Sequence, residues 1–412
     1  MFDEPVHEAP GIEHDSVTEI LDGWLRRHES ALIGLRRHIH AHPELSGCEQ
    51  RTAELVAAKL AEAGLEPRLI PGGNGVLCDI GDPNAEHVIA LRADMDALPI
   101  DDPKDVPYRS TVPGACHACG HDVHTTMLVG AGLLLQELYQ RGQLRGRVRL
   151  VFQPSEEKFP SGAPLMMRAG ALDDVTAIFA FHCDPKLEIG RVGVRSGPLT
   201  AASDMLEVKL TGKGGHTSRP HLTTDLVHAL SRVVVDVPAL LNRRIDPRNG
   251  VALVFGSIHA GSAANAIPQE GSVRGTLRML DRDAWKTIPD LVTEIIDNVV
   301  TAAGATAEVT YTRGVPPVIN DRVAAAIFAN AAATALGASS VVEAPVSMGG
   351  EDFSWYLEQV PGAMARLGVG RPGEQLDIHQ GNFDIDEKAI AHGVRVFAHI
   401  ALAAVASPAW SA

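Results

Sequence analysis

The run "HVIALRADM", residues 87–95, constrains this chain more than any other stretch. Its apolar residues follow one another instead of alternating with polar ones. As a strand it must therefore be covered on both faces. Cover on both faces marks a parallel sheet flanked by helices, because parallel neighbours are joined by crossovers that are usually helical. The surrounding sequence agrees. "GVLCDIG" (75–81), "RVRLVFQ" (147–153) and "AIFAFHC" (177–183) read as further strands. Between them, "ALIGLRRHIHAHPEL" has helical apolar spacing and stops at His42-Pro43, since a residue before proline avoids the helical region. "RTAELVAAKLAEAG" is a helix ending at Gly64, and another helix is expected from about Asp122 to Leu138. Strands alternating with helices imply an α/β domain with a mostly parallel sheet.

After Gly197 the pattern changes. "DMLEVKLTG", a helix over about 222–241, "VALVFGSIHA", "GSVRGTLRML", a helix over about 282–303 and "ATAEVTYT" follow in the order β-α-β-β-α-β, a ferredoxin-like unit. Past "RGVPPVIND" the α/β character returns, with a helix at about 321–336, another beginning near Glu351, a strand at "AMARLGVG" and a terminal helix from about Asp386. The expected organisation is an α/β domain made of residues 1–197 and 315–412, with an α+β domain at 198–314 inserted into it.

The balance of charge limits the partners. With 36 basic and 51 acidic residues the net charge is −15, and no basic run exceeds a pair. Nucleic acid, which needs a basic stripe to meet phosphates, is not expected. Five cysteines (Cys48, Cys78, Cys116, Cys119 and Cys183) are too few and scattered for a disulfide scaffold. The start, "MFDEPVHEAPGIEHDS", lacks the basic and apolar regions of a signal peptide. The apolar stretch near "MLVGAGLLLQEL" is too short to span a bilayer. A soluble cytoplasmic protein with reduced thiols and no membrane partner is the expectation.

Several polar groups fall where a buried strand gives way to a loop, the edge at which open α/β sheets build their sites. Asp94 and Asp96 follow one strand, Glu156 and Glu157 another, and His182 ends a third. His379 sits in a loop before the last helix. "ACHACGHDVHTT" (115–126) leads into a helix N-terminus and admits three readings. A closed structural zinc site would need a second Cys-x-x-Cys knuckle, and none follows. A redox pair of Cys116 and Cys119 fits poorly among so many histidines. An open metal site using Cys119 and His121 fits better, because borderline-soft metals favour sulfur and nitrogen donors. Metal beside a spare carboxylate is the chemistry of hydrolysis.

Taken in order, "LRRHIHAHPELS", "ALRADMDALPI", "HACGHDVHTTMLVGA", "VFQPSEE", "GKGGHTSRPH", "MGGEDFSWYL" and "FDIDE" resemble the M20 metallopeptidase superfamily. They are most similar to its amidohydrolase branch of N-acyl-L-amino acid amidohydrolases, hippurate hydrolases and auxin-conjugate hydrolases. The resemblance implies a zinc-aminopeptidase-like catalytic domain with a mixed sheet, and it likens the insert to that family's lid or dimerisation domain. It implies two divalent ions, zinc first, with manganese, nickel or cobalt also matching the ligand types. Their ligands would be Cys119, His121, Glu157, His182 and His379. Glu156 would be the general base, and Asp96 would take the other N–H of a ligating imidazole. His216 and Asn265 would hold the scissile carbonyl, and Arg278 and Gly350 match positions of substrate contact. The implied activity is cleavage of the amide of a small N-acyl amino acid, by a homodimer or higher homo-oligomer joined through the insert. Rival readings are a dipeptidase, an N-acetyl-diaminopimelate-type deacetylase, or a non-catalytic metal- or ligand-binding homologue; retention of Glu156 argues against the last. Three positions depart from the family: Cys116 where methionine is common, Cys183 where a tryptophan often follows the strand-end histidine, and "IHQG" in place of "LHSP" around His379. They bear on the shape of the acyl pocket and leave the proposed ligands in place.

Overall fold

The structure, a computed structural model, describes residues 14–371 and 373–410. The acidic segment 1–13, read above as no signal peptide, lies outside the described residues. The chain divides into two compact units. One comprises Met1–Arg195, Asp321–Ala344 and Tyr356–Ala412, the other Ser196–Asn320 and Pro345–Trp355. The expected borders at 198 and 314 differ from this division in one respect that matters. The segment Pro345–Trp355, with Gly350, packs with the smaller unit rather than with the α/β domain.

The larger unit is built on an eight-stranded mixed sheet. Its centre is four parallel strands in the order Arg147–Gln153, Val88–Asp94, Val175–Glu188, Gly362–Gly370. Val76–Gly81 pairs antiparallel outside the first of them, and Val192–Val194 antiparallel outside the last. Every residue of Val88–Asp94 is buried, the charged Arg92 and Asp94 included, so the strand is covered on both faces. Helices His14–Ala41, Gln50–Glu62, His121–Gln140, Arg322–Leu336 and Lys388–Val405 supply the cover on one face. Phe181 meets both Phe328 and Phe397 edge-on, with ring centroids 4.9 and 5.0 Å apart. Each such buried side chain contributes roughly 1.5–3 kcal/mol.

Two local readings are corrected by this packing. The first helix begins at His14, well before the proline-bounded stretch that announced it. The helix expected near Glu351 is a single turn, Ser354–Leu357, with the Glu351 carboxylate accepting from the Phe353 amide at 2.9 Å. Among the described residues one helix, Lys388–Val405, is long and apolar enough to be compared with a membrane span. Its length and composition would suffice to cross a membrane, but it packs into the core, with Ile390, Val394 and Phe397 buried.

The smaller unit carries the expected β-α-β-β-α-β order. Its four-stranded antiparallel sheet runs Ala252–Ala260, Glu270–Met279, Ala202–Thr211, Thr306–Val315. Helices Leu226–Arg244 and Arg282–Thr301 cover one face, and Leu206, Val208, Leu230, Val233, Val292 and Ile296 fill the space between. Asp204 is the polar anchor of this core: its carboxylate accepts from Trp285 Nε1 (2.8 Å), Tyr311 OH (2.6 Å) and the Gly314 amide (2.8 Å). A buried carboxylate needs such partners to offset its desolvation.

Candidate metal centre

Three chain segments converge at the carboxyl edge of the central strands. The first is the turn before helix His121–Gln140. Gly120 stands in the left-handed region at φ 88°, and a Cβ there would lie 2.9 Å from Cys183 Sγ. Only glycine lets the Cys119–His121 turn come this close to the neighbouring strand. The second is the Ser155–Glu157 loop after strand Arg147–Gln153. The third is the loop bearing His379, whose amide donates to the Ala118 carbonyl at 2.7 Å and so ties the two loops together.

The side chains meet in two overlapping groups. Cys119, His121 and His182 place one donor atom each within 4.8 Å of one another, and so do Cys119, Glu157 and His379. Cys119 belongs to both, which is the arrangement two ions with a common ligand require. Cys119 Sγ is 3.5 Å from His182 Nε2, and Glu157 Oε1 is 3.1 Å from His379 Nε2 and 3.9 Å from His121 Nε2. The ring orientations are set from behind. His182 Nδ1 is 2.7 Å from the Cys183 carbonyl, so that nitrogen carries the proton and Nε2 keeps its lone pair. His121 Nδ1 is 3.2 Å from Asp96 Oδ1, and its Nε2 is buried with no hydrogen-bond partner.

The charges suit divalent cations. Burial opposes charging His121, yet Asp94, Asp96 and Glu157 overcome it and push its pKa up to about 10. A field that favours a proton there favours a metal dication as well. Burial holds the Cys119 thiol well above its ordinary range, helped by Glu157, Glu156 and Asp94. Ionising it therefore calls for a cation at the sulfur. Burial, then the charge of Arg366, keeps His182 well below its ordinary value and hence neutral, the form in which imidazole ligates. Sulfur, imidazole and carboxylate donors, with one buried nitrogen unpartnered, fit a pair of borderline divalent ions.

Residues 90–403 match peptidase family M20/M25/M40. The chain belongs to that family. A Bacillus subtilis structure described as a dinuclear metal binding peptidase of the M20 family superposes with a TM-score of 0.81 at 33% identity, covering 92% of this chain and 99% of that one. The N-acetyl-L-cysteine deacetylase of Bacillus subtilis is 37% identical over 362 residues, 88% of this chain and 85% of the relative. A Rhodococcus jostii protein bearing the name glutamate–cysteine ligase 2-3 is 48% identical over 368 residues, 89% of this chain. The chain spans 46% of that protein's length, so more than half of it lies outside the match.

In this M20 chain the ligand-bearing segments rest on polar residues that motif reading passed over. Asp96 does more than face His121: its two oxygens accept from the amides of Glu156 (3.0 Å) and Glu157 (2.9 Å) and from Ser46 Oγ (2.6 Å). Glu49 accepts from the Ser155 amide at 2.8 Å, holding a residue whose φ is +55°. His124 joins Asp94 Oδ1 at 2.6 Å and accepts from the Cys183 amide at 2.8 Å. Asp94 is further fixed by Arg92 Nη1 at 2.6 Å. Cys116 packs in the core with Lys104 Nζ 3.8 Å away, separate in role from Cys119, and all five cysteines are free thiols. His117 is buried, and burial lowers its pKa to about 3.

The remaining candidates lie in the smaller unit, in two pairs. His216 sits in the Gly215–His216 strand opposite Ala266, the residue after Asn265, and both His216 and Asn265 are exposed. The Thr217 amide donates to the Asn265 carbonyl at 3.2 Å, closing this ribbon. Arg278 is the register partner of Ser203, and a Cβ on Gly350 would lie 2.8 Å from Ser203 Cβ, so Arg278 and Gly350 flank one residue.

Proposed function

We propose that this chain hydrolyses the amide bond of N-acyl amino acids. The observation that carries the reading is the pair of donor groups sharing Cys119, with the extra carboxylate of Glu156 beside them: His121, Glu156 and Glu157 also place donor atoms within 4.8 Å of one another. Cys119, His121, Glu157, His182 and His379 hold the two ions, zinc by preference for thiolate and imidazole. Bound there, the ions supply Lewis acidity and lower the pKa of water. Glu156 accepts the proton of the attacking water and delivers it to the leaving amine. Asp96 holds the Glu156–Glu157 backbone in register with His121. His216 and Asn265 serve the developing oxyanion, and Arg278 and Gly350 contact the rest of the substrate.

The relative that deacetylates N-acetyl-L-cysteine supports the substrate class. Exposed Val227, Val235 and Leu240 on helix Leu226–Arg244 favour a homodimer through the smaller unit. Five free thiols favour the cytoplasm. The test is amine release from acetyl-, benzoyl- and long-acyl amino acids, alongside dipeptides, after loading with zinc, manganese, nickel or cobalt. Release from acyl amino acids above dipeptides is expected. Cleavage of dipeptides alone would move the chain to the dipeptidase reading.

A further inference from the structure

Two of the three departures from the family pattern, Cys116 and the Gly381 of "IHQG", meet at one lysine. The Lys104 side chain is 7% exposed. Its ammonium donates to the Gly381 carbonyl at 3.1 Å, pairs with Asp102 Oδ1 at 3.0 Å and lies 3.8 Å from Cys116 Sγ. Both small residues make room for it. A methionine at position 116 would reach further into the space beside Nζ. A Cβ on Gly381 would collide with the Asp101 carbonyl and hold its loop off residues 101–104. His40, Asp102 and Cys116 place donor atoms within 4.8 Å of one another, but here the lysine itself supplies the cation.

Asp102 fixes the lysine. Its buried carboxylate also accepts from the Ser110 amide at 3.0 Å and the Lys104 amide at 3.1 Å, and lies 3.3 Å from His40 Nε2. His40 Nδ1 is 2.7 Å from Asp122 Oδ2, and Asp122 follows His121 in the first turn of its helix. A chain of enclosed polar side chains, Asp122, His40, Asp102 and Lys104, thus runs from the His121 end of the donor set to the loop that carries His379. That loop needs a hold. His121 has a carboxylate and His182 a carbonyl behind the ring, whereas among the described residues no hydrogen bond fixes the second nitrogen of His379. The His379 side chain is 49% exposed, and its φ of 60° is a conformation that costs a residue other than glycine energy. Two hydrogen bonds offset that cost: the His379 amide to the Ala118 carbonyl, and the Lys104 ammonium to the Gly381 carbonyl.

We infer that Lys104 is a positioning residue for the ion shared by Cys119, Glu157 and His379, acting through the Gly381 carbonyl on the His379 loop. This rests on the ligand assignment proposed above. The lysine supplies a charge-assisted hydrogen bond in an enclosed place, where such a bond is strong.

The experiment is zinc binding, read by competition with a chromogenic chelator, in wild type, Lys104→Met, His379→Ala and the double variant. Lys104→Met should weaken one of the two zinc ions about 10- to 100-fold, the usual effect of removing a group that orients a ligand, and leave the other unchanged. In the His379→Ala background the same change should leave zinc binding where it was, because its route to the metal is gone. Cys116→Met, which crowds the ammonium without removing its charge, should repeat the loss and serves where Lys104→Met does not fold. Equal weakening of both ions, unchanged affinity, or a further loss on top of His379→Ala would overturn the inference and leave the ligand assignment standing. Wild-type zinc binding by His379→Ala itself would overturn both.

Discussion

The two units treat their candidate residues differently. In the larger unit Cys119, His121 and His182 are buried, with His121 held by Asp96, His182 by a carbonyl, and the Glu156–Glu157 amides by Asp96, while His379 is exposed and tied through its amide to the Ala118 carbonyl. In the smaller unit His216 and Asn265 are exposed on a two-residue ribbon closed by backbone hydrogen bonds, and the His216 ring has one local partner, the Ser218 amide 3.1 Å from Nδ1. Metal ligands tolerate little error in distance, so their positions are over-determined by buried hydrogen bonds. Groups that meet a variable substrate need reach more than rigidity. The contrast separates residues whose loss damages both structure and chemistry from those whose loss damages chemistry alone.

The largest effect should come from Glu156→Gln. The variant keeps the ligands and the amide anchors of its loop, so metal content should be unchanged while kcat falls about 10²- to 10⁴-fold. Elemental analysis and steady-state kinetics on one preparation check both halves, and near-normal turnover would remove Glu156 from its role. His216→Ala comes next. Loss of one oxyanion donor should lower kcat about 10²- to 10³-fold. Because the ring is exposed, its melting temperature should shift by the equivalent of about 0.5 kcal/mol or less. A large drop in melting temperature would erase the contrast drawn above.

The smallest effect concerns Glu49. Burial raises its carboxyl to about 7, against hydrogen bonds from the Gly47 and Ser155 amides that lower it and Asp96 that raises it further. A carboxyl raised on folding favours the native state below its unfolded pKa, and that contribution is lost as pH climbs through the folded value. Gln at this position stays neutral and still accepts from both amides, while Asn74, 3.3 Å from the other oxygen, can turn its amide to match. Glu49→Gln should therefore gain about 1–2 kcal/mol of stability over wild type between pH 5 and pH 8, read from thermal melts across that range. A gain independent of pH would mean that the carboxyl does not titrate in the folded protein.

Much of this was readable from the residues in order. The nearly all-apolar run at Val88–Asp94 announced the parallel sheet, and strand ends announced Asp96, Glu157 and His182. The division between Cys116 and Cys119 was also legible, because no second knuckle follows. What stayed hidden was the support. Glu49 reaches the Ser155 amide across 106 positions, and Gln153 bridges Arg92 Nε (3.0 Å) on the neighbouring strand and Tyr356 OH (2.9 Å) in the turn Ser354–Leu357, both far away in sequence. No local spacing encodes such pairs; tertiary packing creates them. The placement of Gly350 in the smaller unit was hidden for the same reason, since backbone pairing of Leu199 and Ala201 with Ser347 and Gly349 holds that segment there.

The central claim is that Cys119 serves two ions at once. The direct measurement is the metal-to-protein ratio of wild type and Cys119→Ala, reconstituted side by side with zinc and freed of excess. The account predicts close to two ions per chain in wild type and fewer than one in the variant, because removing the common ligand weakens both positions. Equal ratios in the two proteins, or no retained metal in wild type, would contradict it.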